Sequence, residues 1–241
     1  MQDKAAYRRI LLKLSGEALS GGRGTGFDTQ VVAKIADAIA RVAQSGVQVG
    51  VVCGAGNFWR GRDAQGMVRT TADYMGMLGT LMNCLMLSDA IERAGVRARV
   101  QSALAVSRVA GDFNRREAID ALENGEVVLF ACGTGEPYFS TDTTCVLRAL
   151  EIEADAILVA KNGVEGVLTG DPRDGGDYEL IERITFDEIL ARNLAVMDST
   201  AFAMCRENGM PMRIFGMDDV ENILRAVSGA PIGTHVECAP R

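Results

Sequence analysis

Ile10-Leu11-Leu12-Lys13-Leu14-Ser15-Gly16 decides the predicted fold, because this apolar run ends in a lysine, a serine and a glycine. Such a run is typical of a strand that is buried on both faces of a parallel sheet. Three further apolar runs, at residues 47–53, 127–132 and 156–160, also lead into turns that contain glycine. Since the carboxyl ends of parallel strands meet at one edge of a sheet, we expect these turns to lie together where open α/β sheets bind ligands.

The turns share a composition that suits an anionic ligand. They read Gly54-Ala55-Gly56-Asn57, Gly133-Thr134-Gly135 and Lys161-Asn162-Gly163. Glycine lets backbone N–H groups approach an anion closely, and the N-terminus of a following helix adds positive potential. The sequence therefore predicts a phosphate site that is built from several separate loops.

Length, composition and charge limit the class of protein. The chain has 241 residues, of which 48% are apolar and 24% charged, an ordinary composition for one large globular domain. The net charge of −7 argues against a protein that binds duplex nucleic acid. It leaves room for a small anionic ligand, because a few cations in a cleft outweigh the mean charge.

Cysteine and histidine usage narrows the chemistry further. None of the six cysteines forms a Cys-x-x-Cys pair, and most lie in apolar runs, which predicts buried free thiols in a reducing compartment. A single histidine, His235, argues against a zinc site and against a serine–histidine triad. The first nine residues are polar, and the apolar stretch at 75–87 is too short to span a membrane, so we expect a cytoplasmic protein.

Strand and helix patterns alternate along the chain. This alternation predicts an α/β fold, with a mainly parallel central sheet sandwiched by helices on both faces. Asp28 is the predicted N-cap of the helix at 28–44. The other predicted helices are 73–94, 115–123, 142–153, 186–192, 198–207 and 219–226, and the other predicted strands are 96–101, 164–168, 212–215 and 234–236.

The predicted helix at 73–94 is unusual because apolar side chains cover most of the circumference of its first half. A helix of this kind is buried on most sides. Two interpretations remain open: a central core helix, or a helix that packs against a second subunit. Asp73 is its predicted N-cap, and a carboxylate at a binding edge also suits two ribose hydroxyls.

Several nucleotide-binding signatures are absent from the sequence. The chain contains no Gly-Lys dipeptide and hence no P-loop, and it lacks the His-Arg-Asp and Asp-Phe-Gly motifs of protein kinases. The turn at Gly54-Ala55-Gly56 lacks the third glycine of a dinucleotide fingerprint. The remaining residues still suit phosphoryl transfer, which needs alignment and charge neutralisation more than covalent help.

Three charged residues are the main candidates for that chemistry. Lys13 ends the first strand, and Arg60 follows the second strand by a short turn. A lysine at a strand end is more often a surface group, but the Gly16 turn beside Lys13 favours a position at the ligand edge. Arg60 is equally compatible with a surface position and with a phosphate contact. Asp142 either caps the next helix or orients Lys13, and it closes a stretch at 133–142 that is rich in hydroxyl groups, glycine and aromatic rings.

Together these motifs resemble the bacterial-type uridylate kinases, a branch of the amino acid kinase family. The resemblance covers residues 7–236 and depends on the order in which the motifs occur. The motifs lie at residues 9–19, 54–61, 73–78, 133–144, 151–155, 160–167, 197–198 and 232–234.

The resemblance implies a single amino-acid kinase domain over residues 1–241, with an acceptor (UMP) part at about 1–155 and an ATP part at about 156–241. It implies transfer of the ATP γ-phosphate to UMP with Mg²⁺, in pyrimidine nucleotide biosynthesis. It also implies activation by GTP, inhibition by UTP, and a homohexamer assembled from dimers. No membrane or nucleic-acid partner is expected.

The resemblance also assigns roles to individual residues. Lys13 and Arg60 would stabilise charge in the transition state, and Asp142 would organise the site. The ATP-binding residues would be Lys13, Leu14, Ser15, Gly16, Gly56, Arg60, Asn162, Leu168 and Asp171. The UMP-binding residues would be Ala55, Asp73, Thr134, Gly135, Glu136, Pro137, Tyr138, Phe139, Ser140 and Thr141. The effector loop would comprise Gly21, Gly22, Arg23, Gly24, Thr25 and Gly26.

The sequence departs from the family pattern at three places. Ala55 replaces a usual glycine and narrows the range of backbone conformations. Leu168 replaces a common aromatic residue, so we expect weaker stacking at the ATP site. Ser88 and Glu92 occupy a helix face that we expect to be basic at a triphosphate effector site.

Two alternative functions stay open at this point. One is another phosphotransferase of the same family, which would phosphorylate a carboxylate or a carbamate. The other is a non-catalytic nucleotide sensor or storage protein of the same fold. A protein of this kind could keep the glycine loops while losing the charged groups. The presence of Lys13, Arg60, Asp142 and Asp171 therefore disfavours the second alternative.

Overall fold

A computed structural model describes residues 5–60, 64–170, 178–192, 194 and 197–238. Its strands are β1 (Arg9–Leu14), β2 (Gln48–Cys53), β3 (Ala98–Ser102), β4 (Gly111–Asp112), β5 (Val127–Ala131), β6 (Ala156–Lys161), β7 (Arg183–Thr185), β8 (Met212–Gly216) and β9 (Thr234–Glu237). Its α-helices are α1 (Gly16–Ser20), α2 (Thr29–Gln44), α3 (Arg69–Arg93), α4 (Arg115–Glu123), α5 (Thr141–Glu151), α6 (Phe186–Ala191), α7 (Ser199–Asn208) and α8 (Asn222–Val227).

The strands form one sheet, in the order β4-β3-β5-β2-β1-β6-β8-β9-β7. Strands β1 to β6 and β8 are parallel, and β9 pairs with β8 in the antiparallel sense. At the centre, β1 lies between β2 and β6, so Lys13 pairs in register with Val52 on one side and Val159 on the other. The predicted α/β class with a mainly parallel sheet is confirmed.

The alternation of side chains along each strand builds two apolar layers. Ile10, Leu12 and Leu14 face a core that is completed by α2, α3 and α8. Leu11 faces the opposite core, which is completed by α4, α5 and α7. Because side chains alternate along a strand, Lys13 lies on the same face as Leu11 and therefore points towards α5.

Capping side chains define where several helices begin. The Asp28 carboxylate accepts hydrogen bonds from the backbone N–H groups of Gln30 and Val31, at 3.0 and 3.2 Å, which confirms the predicted N-cap of α2. Asn114 and Asp198 cap α4 and α7 in the same way. Each cap satisfies backbone donors that a helix leaves without partners in its first turn.

The structure corrects parts of the predicted element map. Helix α3 begins at Arg69, so Asp73 is its fifth residue and the predicted N-cap at Asp73 is wrong. Residues 16–23, partly predicted as a loop, form α1 and a 3₁₀ turn. The predicted strand at 164–168 is reduced to a single bridge between Leu168 and Leu180. Strands β4 and β7 are too short to give a sequence signal.

The described helices include none that is long and apolar enough to cross a membrane. The long helix α3 has two different faces instead. Met77, Leu81 and Cys84 are buried in the core, whereas Leu78 and Met82 remain 46% and 48% exposed. One face of α3 thus fits the core interpretation, while the other face is apolar and lies open in the single chain.

Five of the six cysteines are buried free thiols, as the sequence predicts; Cys238 is partly exposed. Burial raises the pKa of Cys53 and of Cys205 to about 12. The ordinary value is 9.0, so above pH 9 the unfolded chain releases thiol protons that the folded chain retains. Because the unfolded state then binds fewer protons, the free energy of unfolding decreases as pH rises from 9 towards 12.

We expect each such thiol to contribute a loss of about 1.4 kcal/mol per pH unit within this window. Urea unfolding at pH 8, 9 and 10 measures the slope. Replacing Cys205 by alanine should make the slope shallower, because it removes one of the two thiols whose pKa burial raises to about 12. An unaltered slope in Cys205→Ala would contradict the assignment.

Candidate active site

A cavity of about 420 Å³ opens at the carboxyl ends of β1, β2 and β5, between α1, α3 and α5. This volume lies within the range of small-molecule sites in proteins. The predicted site residues that line it are Lys13, Ser15, Gly16, Ala55, Gly56, Arg60, Asp73, Thr134, Tyr138, Phe139, Ser140, Thr141 and Asp142. The structure therefore brings most of the predicted acceptor residues together with the predicted phosphate-binding residues.

The other predicted site residues lie apart from this cavity. The side chain of Leu14 is completely buried in the core, so only its backbone can face a ligand. Gly135, Glu136 and Pro137 belong to the same loop as Thr134 but are not among the lining residues. Asn162 and Leu168 follow β6 and do not line the cavity either. Asp171 lies outside the described residues.

Lys13 and Asp142 form the central ion pair of the cavity. The Lys13 Nζ lies 2.7 Å from Asp142 Oδ1, and the two side chains are only 12% and 22% exposed. Burial by itself would lower the pKa of Lys13, but attraction to the Asp142 carboxylate and a hydrogen bond to it outweigh burial and raise the pKa above its usual value of 10.5. Lys13 is therefore a fixed positive charge at neutral pH.

A second lysine lies close to this pair. Lys161 ends β6, the strand beside β1, and its pKa is lowered by burial and by the positive charge of Lys13. Because β6 runs parallel to β1, Lys161 and the following Asn162 lie at the same edge of the sheet as Lys13. The sequence predicts that the turn Lys161-Asn162-Gly163 helps to hold a nucleotide base and ribose, and this role remains a prediction.

Arg60 contacts a residue that sequence reasoning missed. Its guanidinium forms a short hydrogen bond and ion pair with the carboxylate of Glu17, in the first turn of α1. Both side chains line the cavity and are about half exposed. The signal was available, because Glu17 directly follows Gly16 in a motif that points at the ligand edge.

A third ion pair completes the charged lining. Arg69 donates from Nε to both carboxylate oxygens of Asp73, at 2.8 Å each. Lys13, Arg60 and Arg69 are thus each matched with a carboxylate that also lines the cavity. Arg69 was not predicted from the sequence, although its spacing of four residues from Asp73 is that of a helical ion pair.

Two buried asparagines hold the turn after β2. The Asn57 and Asn83 side chains donate to each other at 3.0 and 2.9 Å, and Asn83 also donates to the carbonyl of Gly54 at 2.6 Å. Asn57 donates its remaining proton to the carbonyl of Gly26, at 2.9 Å. Because both amide groups are buried and fully used, the glycine turn is fixed to α3 and to the loop at 21–26.

Ala55 fits its position despite replacing a glycine of the family pattern. It is buried and does not adopt a left-handed backbone conformation. Its methyl group faces Gly79 of α3, where an added Cβ would lie 3.0 Å from the Ala55 Cβ. The absence of a side chain at Gly79 therefore gives room for the methyl group of Ala55.

The N-terminus of α5 faces the cavity. Ser140 is the N-cap, since its hydroxyl accepts from the N–H groups of Asp142 and Thr143. The capping role considered for Asp142 is therefore wrong, and its carboxylate is available to Lys13. Asp198 accepts hydrogen bonds from the hydroxyls of Ser140 and Thr143, so the cap of α7 also holds the first turn of α5.

The predicted effector loop is connected to the phosphate turn. Gly21, Gly22 and Arg23 form a 3₁₀ turn, and Gly24 follows it with a left-handed backbone. The Thr25 hydroxyl and the Gly26 N–H both donate to the carbonyl of Asn57, at 2.9 and 3.0 Å. A displacement of this loop would therefore act directly on the residue that follows Gly56.

Comparisons with known proteins agree with this geometry. Residues 8–216 match the model of the amino acid kinase family. A uridylate kinase of Nocardioides sp. is 52% identical over 232 residues, which cover 95% of this chain and 98% of that protein.

Two solved structures are similar over nearly the whole chain. The UMP kinase of Bacillus anthracis is 34% identical, with a TM-score of 0.93 and 97% of each chain covered. The UMP kinase of Ureaplasma parvum is also 34% identical, with a TM-score of 0.90, and the match covers 95% of this chain and 98% of that one.

Proposed function

Because this chain belongs to the amino acid kinase family, in its uridylate kinase branch, we propose that it transfers the γ-phosphate of ATP to UMP and releases ADP and UDP. The matches confirm the predicted family and the predicted enzyme class, a nucleoside monophosphate kinase. The observation that carries the specific reaction is the convergence of Lys13, Asp142 and Arg60 on one cavity with the acceptor loop.

Charge neutralisation is the main task of the cavity. Negative charge is spread over the oxygens of the transferred phosphoryl group, and fixed cations stabilise it without moving. Lys13 supplies one such cation, held in position by Asp142. Arg60 supplies the second, and its planar guanidinium suits two phosphate oxygens once it leaves Glu17.

No general base is required for this reaction. A phosphate oxygen of UMP is already an anionic nucleophile, so no proton has to be removed before attack. The site therefore needs only to bring two negatively charged groups together. The N-terminus of α5 contributes to this, because the positive end of the helix dipole favours an anion beside Thr141.

The acceptor and the donor occupy different parts of the sheet edge in this proposal. Ala55, Asp73 and the loop at 134–141 hold UMP, and Asp73 binds the ribose hydroxyls. Asn162, Leu168 and Asp171 hold ATP beyond the end of β6. This assignment corresponds to the predicted division near residue 155, which remains a prediction, as does the cytoplasmic location.

Magnesium would enter with ATP. The described residues contain no group of three metal-ligating side chains, so the chain offers no metal cage of its own there. Carboxylate and phosphate oxygens are the ligands that Mg²⁺ prefers, and Asp142 is the cavity carboxylate beside the proposed position of the phosphates. When bound, the ion would shield charge on the β- and γ-phosphates, while Lys13 and Arg60 act on the transferred group.

The oligomer in this proposal is a homohexamer assembled from dimers, with the exposed face of α3 as a subunit contact. Tyr74, Met75, Leu78 and Met82 are apolar and 39–48% exposed on this helix. Contiguous exposed apolar residues are typical of interaction sites. GTP activation and UTP inhibition, through the loop at 21–26, belong to the same proposal.

We expect the double substitution Leu78→Glu and Met82→Glu to dissociate the oligomer, because it places two charges in an apolar contact. Sedimentation velocity measures the change in particle mass. Val109→Glu is the control, since Val109 is 55% exposed but belongs to the segment between β3 and β4 and not to α3. A double variant that sediments like the parent protein would contradict the assigned contact.

The decisive experiment for the function compares different phosphate acceptors. ADP release from ATP is measured with UMP, CMP, aspartate and N-acetylglutamate, with and without GTP. The proposal predicts turnover with UMP above all other acceptors. Turnover with an amino acid and none with UMP would favour the related carboxylate kinases, and no turnover with any acceptor would favour a nucleotide sensor.

A further inference from the structure

Arg69 contacts two parts of the proposed acceptor site that are far apart in sequence. It is the first residue of α3, and its side chain lines the cavity at 46% exposure. Its Nε donates to both oxygens of the Asp73 carboxylate, and its guanidinium carbon lies 5.3 Å from the centre of the Tyr138 ring. One side chain thus connects the helix that carries Asp73 with the loop at 133–140.

Asp73 makes the same connection through the backbone. Its Oδ2 accepts a hydrogen bond of 2.9 Å from the N–H of Tyr138. Three groups therefore form a closed set, in which Arg69 holds Asp73, Asp73 holds the Tyr138 backbone, and the Tyr138 ring lies against Arg69.

The loop needs such a restraint. Tyr138 has a φ of +73°, a conformation that side-chain-bearing residues rarely adopt, and it is 68% exposed. Left-handed backbone at a residue other than glycine persists only where the surroundings hold it. The described contacts that can hold Tyr138 in place are those with Asp73 and Arg69.

We propose that Arg69 is a positioning residue of the acceptor site, which fixes the loop at 133–140 through Asp73 and Tyr138 and thereby sets the affinity for UMP. The inference rests on the proposed function. It goes beyond that function because it assigns acceptor affinity to a residue outside the predicted UMP-binding set. Arg69 would act before the transfer step, so the rate of transfer from bound substrates should not depend on it.

The test compares Arg69→Ala, Tyr138→Leu and the double variant with the parent protein. Alanine is a good helix former at the start of α3, so the helix itself should persist. Arg93→Ala is the matched control, because Arg93 forms an ion pair of the same spacing with Asp89 near the far end of α3, at 2.7 Å. The fluorescence of Trp59, the single tryptophan and a lining residue, reports UMP binding without turnover.

We expect Arg69→Ala to weaken UMP binding and raise the KM for UMP by roughly three- to tenfold, the effect of one exposed ion pair and one cation–π contact. The KM for ATP and kcat should change less than about twofold, a split that a general loss of folding would not produce. Because Arg69 acts partly through Tyr138, the double variant should be less impaired than the product of the two single effects.

Unchanged UMP binding in Arg69→Ala, an equal loss in Arg93→Ala, or single effects that multiply fully would each overturn the proposal. A parent protein that binds UMP without phosphorylating it would overturn the proposed function, while the titration would still decide the role of Arg69. A parent protein that does not bind UMP would overturn both.

Discussion

Replacing Lys13 by methionine should reduce kcat by roughly 10²- to 10³-fold, the typical loss when one preorganised group that stabilises transition-state charge is removed. The methionine retains most of the apolar stem but carries no charge. Since Lys13 acts mainly on charge that develops during transfer, UMP binding should change far less than kcat. Steady-state kinetics and the Trp59 titration measure the two quantities separately.

Lys34→Met is the control for this variant, because Lys34 is an exposed lysine of α2 that does not line the cavity. It should retain the kcat of the parent protein. A Lys13→Met enzyme with unchanged kcat would show that the chemistry occurs elsewhere. Weaker binding of UMP or ATP together with an unchanged kcat would instead assign Lys13 to ground-state binding.

Replacing Gly16 by alanine should abolish most activity, because the added methyl group collides with backbone atoms of the turn after β2. An added Cβ would lie 2.5 Å from the carbonyl oxygen of Gly54 and 2.8 Å from the N of Gly56, distances that real Cβ atoms do not show. Both contacts are backbone atoms of the phosphate turn, so the turn itself has to move. We expect about 1–3 kcal/mol of lost stability and a large increase in the KM for ATP.

Thermal unfolding and kinetics at several ATP concentrations check this second expectation. Gly111→Ala is the matched control, because an added Cβ there meets no atom within 4 Å. It should leave both the stability and the KM for ATP nearly unchanged. A Gly16→Ala variant with parental ATP kinetics would mean that the turn after β2 does not bind phosphate.

The sequence predicted the fold well where a pattern repeats. The central strands are continuous apolar runs, and the run that starts at Ile10 forms β1 (Arg9–Leu14). The sequence also predicted that Lys13, Arg60 and Asp142 meet at one edge of the sheet. Strand direction alone places such residues at the same end of a parallel sheet.

Local side-chain contacts were harder to predict. The start of α3 at Arg69 was missed, since Val68 offers no side-chain cap and Asp73 resembles one. The pairing of Arg60 with Glu17 and of Arg69 with Tyr138 depends on how α1, α3 and the loop at 133–140 approach each other. That approach is set by packing between elements distant in sequence, which no periodic pattern records.

The most direct test of the central claim is a crystal structure with UMP and a non-hydrolysable ATP analogue. The account predicts the γ-phosphate of the analogue within hydrogen-bonding distance of both Lys13 Nζ and the Arg60 guanidinium, with the UMP phosphate on the side of Asp73 and the 133–140 loop. A γ-phosphate bound away from Lys13, or UMP bound outside this cavity, would contradict it.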